Sequence, residues 1–565
     1  MWKNKRKTVE FVGSMLASAI LFLIIYKLIP IVYSTNDDRM IAEIISGQFT
    51  GTPEAYAIQM TYGFTWFLSK LYKITRSINW YGIVLISSQI FSFGAILYRL
   101  QSFTEYIWKK LLLWLTAMAV FAAVWLKVYV QMTYTSTAAF VGLAAIFWYA
   151  TSKTKWKNGL MVGFLANLAF SIRPNVFYML LPATGLVYLW KLIGKKELDV
   201  KTITMPFVIL SVTACLFVVH MTAYSQTGWK EFMEFFNHRT DIYDFYDLAS
   251  YDERQELYEP YGIDKTEYDM IRVYNYTVMG ELPKEFFPEY IEAYQEMEKA
   301  EGITIGTKAV EAVKSFAGDV FAGSYGRDNT IVFIAAAVLF VLLLWKKNFM
   351  LAAYLGIQCA ANSALWLYFN YWGRTIDRIQ ISMSLIFLSV VLHVLYEMKN
   401  VDCNESKSKS RWLRMAVLLS GCCLAGLAVW NFMDYRYENI EKAHRYTDVQ
   451  TIKEYCAENP ERLYYMDVAT MTELYGRFTI KNTEPEYINY IQLGDWSAYC
   501  PHYEEKLKHH GVENVAASIT EENTYVIMLH NYQVQCMKDY LNVEESWEET
   551  IFGANDTAYA VYQFH

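Results

Sequence analysis

Apolar stretches of membrane-spanning length recur from residue 9 to about residue 431, and no other feature narrows the fold so far. A helix needs about 20 apolar residues to cross the hydrocarbon core. Only helices and closed barrels satisfy their backbone there. The runs are continuous rather than alternating, which predicts an all-α polytopic membrane protein. The candidate spans are 9–33, 80–99, 111–130, 133–150, 158–172, 175–193, 202–224, 329–345, 348–370, 379–397 and 413–431, about 11 in all. The basic start MWKNKRKTVE followed by an apolar run also fits a signal peptide. The run from Phe11 to Tyr33 is too long for one and lacks a small-residue cleavage site, so it is read as a retained first span.

Charge sorts the loops into two sides. Lys3, Lys5, Arg6 and Lys7 precede the first span. Lys109 and Lys110, then Lys153, Lys155 and Lys157, then Lys195, Lys196 and Lys201, then Lys346 and Lys347 mark later loops on the same side. The run NESKSKSRWLR closes the series. Lys and Arg in short loops mark the cytoplasmic side, so the N-terminus is expected inside and the C-terminus outside. Three large pieces then face outward: the 34–79 loop, the 225–328 loop and the tail, 432–565. The tail mixes helical and strand-like runs, such as HYEEKLKHHG and TYVIML, and is expected to form a small α/β domain. Residues 1–431 would form the membrane domain. The net charge of −7 gives no support for nucleic-acid binding. None of the eight cysteines falls in a zinc-ligand spacing. Cys456, Cys500 and Cys536 in the tail leave room for one bridge at most.

Residues 34–56, STNDDRMIAEIISGQFTGTPEAY, put two adjacent carboxylates, Asp37 and Asp38, where the chain leaves the first span. Read structurally, Thr35 to Asp38 match a capping box that starts a helix, and acidic residues suit its N-terminus. Met40, Ile41, Ile44 and Ile45 make that helix amphipathic, so it is expected to lie at the membrane interface. AIQMTYGFTWFLSKLYKI, 57–74, reads as a second interfacial helix. WYGIVL then opens the next span with interfacial aromatics.

This layout, an outward acidic pair between a first span and two interfacial helices, resembles the GT-C membrane glycosyltransferases, which include the protein O-mannosyltransferases and aminoarabinose transferases. NDDRMIAEIISGQFTGTP resembles bacterial members reading NDD, then SG, then TG-P. The likeness covers about residues 1–430. In GFLANLAFSIRPNVFYMLLPATG, Arg173-Pro174 breaks the chain between two apolar runs, on the outer side of this topology. It matches the family's pattern of a basic residue plus Pro between spans; the bland alternative is a snorkelling Arg. In YFNYWGRTIDRIQISM, Arg374 and Arg378 are four apart, hence on one helical face, with Asp377 between them as a structural partner. The resemblance implies that Arg173, Arg374 and Arg378 hold a donor phosphate. Asn36, Asn175, Asp377, His238 and Arg239 are further candidate contacts to donor or acceptor, and Arg327 is a weaker one.

The chemistry is coherent. A sugar on a polyprenyl phosphate has a good leaving group. The departing phosphate needs cations, and Arg forks match its oxygens. The acceptor hydroxyl needs one base. A glycosidase would need two carboxylates flanking the bond, which adjacent residues do not supply. Asp37 is assigned as base because resembling families use the first acid. Asp38 would orient it, bind acceptor hydroxyls or join Asp37 in holding Mg or Mn; whether a divalent cation is used is open. The expected partners are a polyprenyl-phosphate sugar donor, a glycan or lipid-linked acceptor and membrane lipids. The rival readings are a transporter or flippase of lipid-linked saccharides, which should carry ionisable groups along its spans, and a non-catalytic assembly factor. The 225–328 loop interleaves aromatic and acidic residues, suited to sugar binding or to capping the membrane domain.

Overall fold

Each of the eleven apolar segments falls largely in helix in the computed structural model, which describes residues 2–246, 248–321, 326–401, 411–482, 485–553 and 557–565. The side chains of 2–5, 321, 326–328, 399–401, 411–421, 423 and 424 fall outside the described residues, which removes Arg327 and most of the NESKSKSRWLR run from view. The helices are α1 (Trp2–Leu28), α2 (Asn36–Ser46), α3 (Tyr62–Ile74), α4 (Trp80–Leu100), α5 (Ile107–Val120), α6 (Leu126–Val130), α7 (Tyr134–Thr151), α8 (Trp156–Ile172), α9 (Pro174–Leu189) and α10 (Val200–Tyr224). The large outer loop then carries α11 (Trp229–Asp241), α12 (Lys265–Arg272), α13 (Leu282–Ala300) and α14 (Ile305–Phe321). Then follow α15 (Gly326–Trp345), α16 (Phe349–Tyr371), α17 (Asp377–Val401) and the long α18 (Arg411–Glu458). Among the described residues, seven helices are long and apolar enough to cross a membrane. The chain is a mostly helical, multi-pass membrane protein.

Helix α7 is the hub. Apolar on all sides, as a helix enclosed by protein should be, it is buried at every residue and packs against α4, α8, α9 and α17. The first span ends at Leu28 rather than Tyr33, because Pro30 cannot continue a helix. Residues Val32–Tyr33 instead form a short strand, β1, parallel to β2 (Gln131–Met132). The expected interfacial helix over 57–74 starts only at Tyr62. Thr35 stands at the N-cap of α2, but its hydroxyl donates to the Asp38 carboxylate at 2.8 Å instead of accepting a backbone N–H, so the expected capping box does not form.

The tail has five strands, β3 (Leu463–Met466), β4 (Tyr490–Gln492), β5 (Thr524–Met528), β6 (Glu545–Phe552) and β7 (Ala558–Phe564), in the order β4-β3-β5-β7-β6. The first three are parallel and the last two antiparallel. Around them lie α19 (Val468–Thr472), α20 (Pro501–His509), α21 (Val515–Ile519) and α22 (Asn531–Leu541). Cys456, Cys500 and Cys536 are all unbridged. The chain has no break at residue 432: α18 runs on for 48 residues, about 70 Å at 1.5 Å per residue, so one helix joins membrane to tail.

The tail is fastened to the first outer loop. Tyr33 N–H donates to Gly476 C=O at 2.8 Å, Phe478 N–H to Ile31 C=O at 2.9 Å and Ile488 N–H to Gln48 C=O at 3.0 Å. Beneath these bonds lies a buried ionic cluster. Glu43 of α2 meets Lys453 of α18 at 2.9 Å and Arg39 at 3.4 Å. Burial alone would raise the Glu43 carboxyl, but Lys453 and Arg39 outweigh it and hold it below the usual range. Lys506 of α20 lies over the Phe49 ring at 4.6 Å and pairs with no carboxylate among the described residues. Burial pushes its ammonium down to about 7, with Glu43 opposing and Lys453 adding.

Lys506 therefore binds its proton more weakly in the folded chain than in the unfolded one. Stability should rise as pH climbs from about 7 towards about 10.4, with the full cost of the buried charge present below that window. Lys506→Met should melt higher than wild type at about pH 6.5, and the gap should close by about pH 9.5. Thermal unfolding of the purified protein at the two pH values checks this.

Candidate active site

Successive residues of a helix point about 100° apart, and at the start of α2 this separates the two acids. Asp38 is fully buried. Its Oδ1 accepts the Tyr81 hydroxyl at 2.6 Å and the Tyr134 N–H at 3.0 Å, while Oδ2 accepts the Thr35 hydroxyl at 2.8 Å. Burial pushes its carboxyl up to about 7, against those three donors. It joins α2 to the first residues of α4 and α7 and does not line a cavity.

Asp37 faces the other way, into a cavity of 780 Å³. Its Oδ2 accepts Nη1 of Arg378 at 2.9 Å and the Tyr134 hydroxyl at 3.2 Å. Arg173 lies over the Tyr134 ring at 5.2 Å and donates to Gln59 C=O at 3.1 Å. No carboxylate among the described residues pairs with Arg173. It precedes α9, whose Pro174 and Asn175 also line the cavity, so the cavity receives the positive end of a 16-residue helix. Arg374 pairs with Asp244 of the large outer loop at 2.5 Å. Burial draws the Arg374 guanidinium down and pushes the Asp244 carboxyl up, each opposed by the other's charge.

The cavity thus gathers Asn36, Asp37, Arg173, Asn175, Arg239, Arg374 and Arg378 from the sequence-derived candidates. Asp38, Asp377 and His238 do not line it. The ion pairs of Arg374 and Arg378 run to Asp244 and Asp37, not to the neighbouring Asp377. Five arginines and three aspartates line the cavity, a formal excess of two positive charges. Asp244, Asp495 and Arg272 complete that set, and sequence reasoning missed them, as it missed the Tyr134 hydroxyl. None sits in a motif; Asp244 lies in the acidic and aromatic 225–328 loop without a sign of its partner.

Among the described residues, no group of three His, Cys, Asp or Glu side chains is placed to hold a metal. The acidic pair does not fit one either. Asp38 is buried with both oxygens taken by donors, and only Asp37 reaches the cavity, where its Oδ2 accepts from Arg378 and Tyr134, so the two acids share no face for Mg or Mn.

No family model matches the chain, and no curated protein matches it. Among solved structures it is similar to the crystal structure of ArnT from Cupriavidus metallidurans bound to undecaprenyl phosphate. Identity is 11% and the TM-score 0.37, over 98% of this chain and 97% of that one. At that level of likeness the functional reading rests on the geometry of the cavity itself.

The two acids should separate in a stability measurement. Asp38→Asn keeps one acceptor oxygen and turns an amide N–H₂ towards donors, and each buried donor left unpaired costs about 1–3 kcal/mol. Asp37→Asn keeps an oxygen for Arg378 and Tyr134. Asp38→Asn is expected to lower the unfolding temperature by several degrees, on the scale of about 2 °C per kcal/mol for a large chain. Asp37→Asn should change it little.

Proposed function

We propose that the chain is a membrane glycosyltransferase of GT-C type, taking a sugar from a polyprenyl-phosphate donor at the outer face of the plasma membrane. The acceptor is a cell-surface glycan, a lipid-linked saccharide or a wall polymer. The observation that carries this reading is the meeting of Asp37 with Arg173, Arg374 and Arg378 in one cavity at the head of the helix bundle. The N-terminus is cytoplasmic and the tail extracytoplasmic, which puts the cavity on the outer side.

The residues divide the work. Asp37 takes the proton of the acceptor hydroxyl as its oxygen bonds to the anomeric carbon. The bond from that carbon to the phosphate oxygen breaks, and its electron pair leaves with the polyprenyl phosphate. Arg173 and the N-terminus of α9 hold that phosphate, because neither is engaged by a carboxylate. Arg374 joins them by exchanging Asp244 for phosphate oxygens. Arg378 positions Asp37, and Tyr134 completes the contact from α7. Asp38 acts through α2 as a positioning residue.

The test is sugar transfer by purified protein from a panel of radiolabelled polyprenyl-phosphate sugars, with host envelope material as acceptor. Asp37→Asn should lower turnover by about 10² to 10⁴. Arg173→Ala should lose about 10-fold or more in kcat/KM for the donor. If no donor is turned over and Asp37→Asn still complements a deletion in cells, transfer is the wrong activity and the transport or assembly readings take its place.

A further inference from the structure

The part of the cavity away from the membrane helices is built by the tail. Asp495, Trp496 and Gln533 line it, and they are only 7%, 7% and 1% exposed. Each carries a polar group that no described residue satisfies. Asp495 Oδ1 accepts from the Ser497 hydroxyl at 2.8 Å and from the Ser497 N–H, while its Oδ2 has no partner. The Trp496 indole N–H has none. Gln533 accepts from Asn275 Nδ2 at 2.8 Å through Oε1, while its Nε2 has none. The three residues line the cavity, so one acceptor and two donors without protein partners stand on its wall, where a ligand can meet them.

The backbone there is held in conformations that cost energy. Asp495 has φ +92° and Tyr274, across from it, φ +65°, and such residues persist only where the surroundings impose them. Between them Gly494 leaves no room for a side chain: a Cβ would lie 1.7 Å from the Tyr274 carbonyl oxygen. The clamp is completed by Thr277 N–H to Leu493 C=O at 3.2 Å, Val468 N–H to Asn275 Oδ1 at 3.1 Å and the Tyr499 hydroxyl to Tyr276 C=O at 3.0 Å. Two outer pieces, the large loop and the tail, are thereby locked face to face, and their aromatic residues Tyr274 and Tyr532 line the cavity beside Trp496.

We infer that the tail residues Asp495, Trp496 and Gln533 form the acceptor subsite and bind a saccharide, an inference that rests on the transferase reading above. A carboxylate oxygen beside two N–H donors suits adjacent sugar hydroxyls, one donating and others accepting, and aromatic faces suit the apolar faces of pyranose rings. The arginines assigned to the phosphate, Arg173, Arg374 and Arg378, stand at the ends of membrane helices, whereas these groups come from the water side, from which a glycan arrives. The tail is then part of the binding site rather than a brace.

The test uses oligosaccharides released by mild acid from the host's envelope polysaccharide. Saturation-transfer NMR reports their binding to the purified full-length chain, and transfer kinetics report KM for donor and acceptor separately. Asp495→Asn should weaken oligosaccharide binding about 10- to 100-fold, the range for a hydrogen bond to a charged group. Trp496→Phe, which keeps an aromatic face but loses the N–H with the second ring of the indole, should weaken it about 5-fold. The donor KM should move less than twofold in both. Wild type that fails to bind these oligosaccharides, variants that bind as wild type does, or a donor KM that rises in place of the acceptor's would each overturn the subsite. Binding that the variants lose, in a wild type that turns over no donor, would leave the saccharide site standing and remove the transferase reading alone.

Discussion

A carboxylate buried at the head of a helix bundle has to be given donors, and Asp38 obtains them from three directions. The Tyr81 hydroxyl, the Tyr134 N–H and the Thr35 hydroxyl come from the starts of α4 and α7 and from the turn before α2. An unmet charge there would cost several kcal/mol, so the three segments cannot drift apart while Asp38 stays buried. That fixes the rotation of α2 about its own axis. With Asp38 turned inward, the next acid along is turned into the cavity, where Arg378 and Tyr134 meet it. Of the doubled negative charge one carboxylate anchors the helix and the other lines the cavity, and both gain from lying in the first turn of a helix.

The same helix is held from above. Glu43, one turn and a half beyond Asp38, is neutralised by Lys453 from α18 and by Arg39. Removing either partner of a buried pair leaves an uncompensated charge, so the tail is coupled to α2 through more than hydrophobic contact. The path from tail to Asp37 is short: α18, Glu43, α2. The cavity is consequently enclosed by pieces far apart in sequence, such as Asp37 and Arg378, 341 positions apart.

Much of this was legible in the chain. Continuous apolar runs located the helices to within a few residues, and Pro30 is the reason the first one stops early. The resemblance pointed to Asp37, Arg173, Arg374 and Arg378, which lie in one cavity. What the sequence withheld was pairing. Asp377 is the nearest acid to both Arg374 and Arg378 along the chain, yet Asp244 and Asp37 are the acids they meet. Tyr134 opens an apolar helix with nothing to mark it. The unpaired groups of Asp495, Trp496 and Gln533 exist only because the tail folds back on the large outer loop. Such facts belong to tertiary structure, and no spacing rule contains them.

The spans carry some charge of their own, and its location bears on how the bundle is held together. His393, Glu397, Lys191 and Lys195 gather at the far ends of α9 and α17 from the cavity. Nineteen residues separate Arg378 from Glu397, about 28 Å along a helix. The cluster is closed on itself: Lys195 meets Glu397, Lys191 meets Glu197 at 3.2 Å, and His393 meets the Tyr354 hydroxyl at 2.9 Å. From Tyr354 a buried polar file continues up α16 through Gln358 and Asn362 to Asn370, winding round the helix as steps of four residues do. The void beside Asn362 measures 10 Å³, about one water. A saccharide on a lipid could not pass along such a seam, whereas polar side chains between membrane helices are well suited to holding them together. The polar file thus favours a fixed bundle, and the 780 Å³ cavity stands at one end of it.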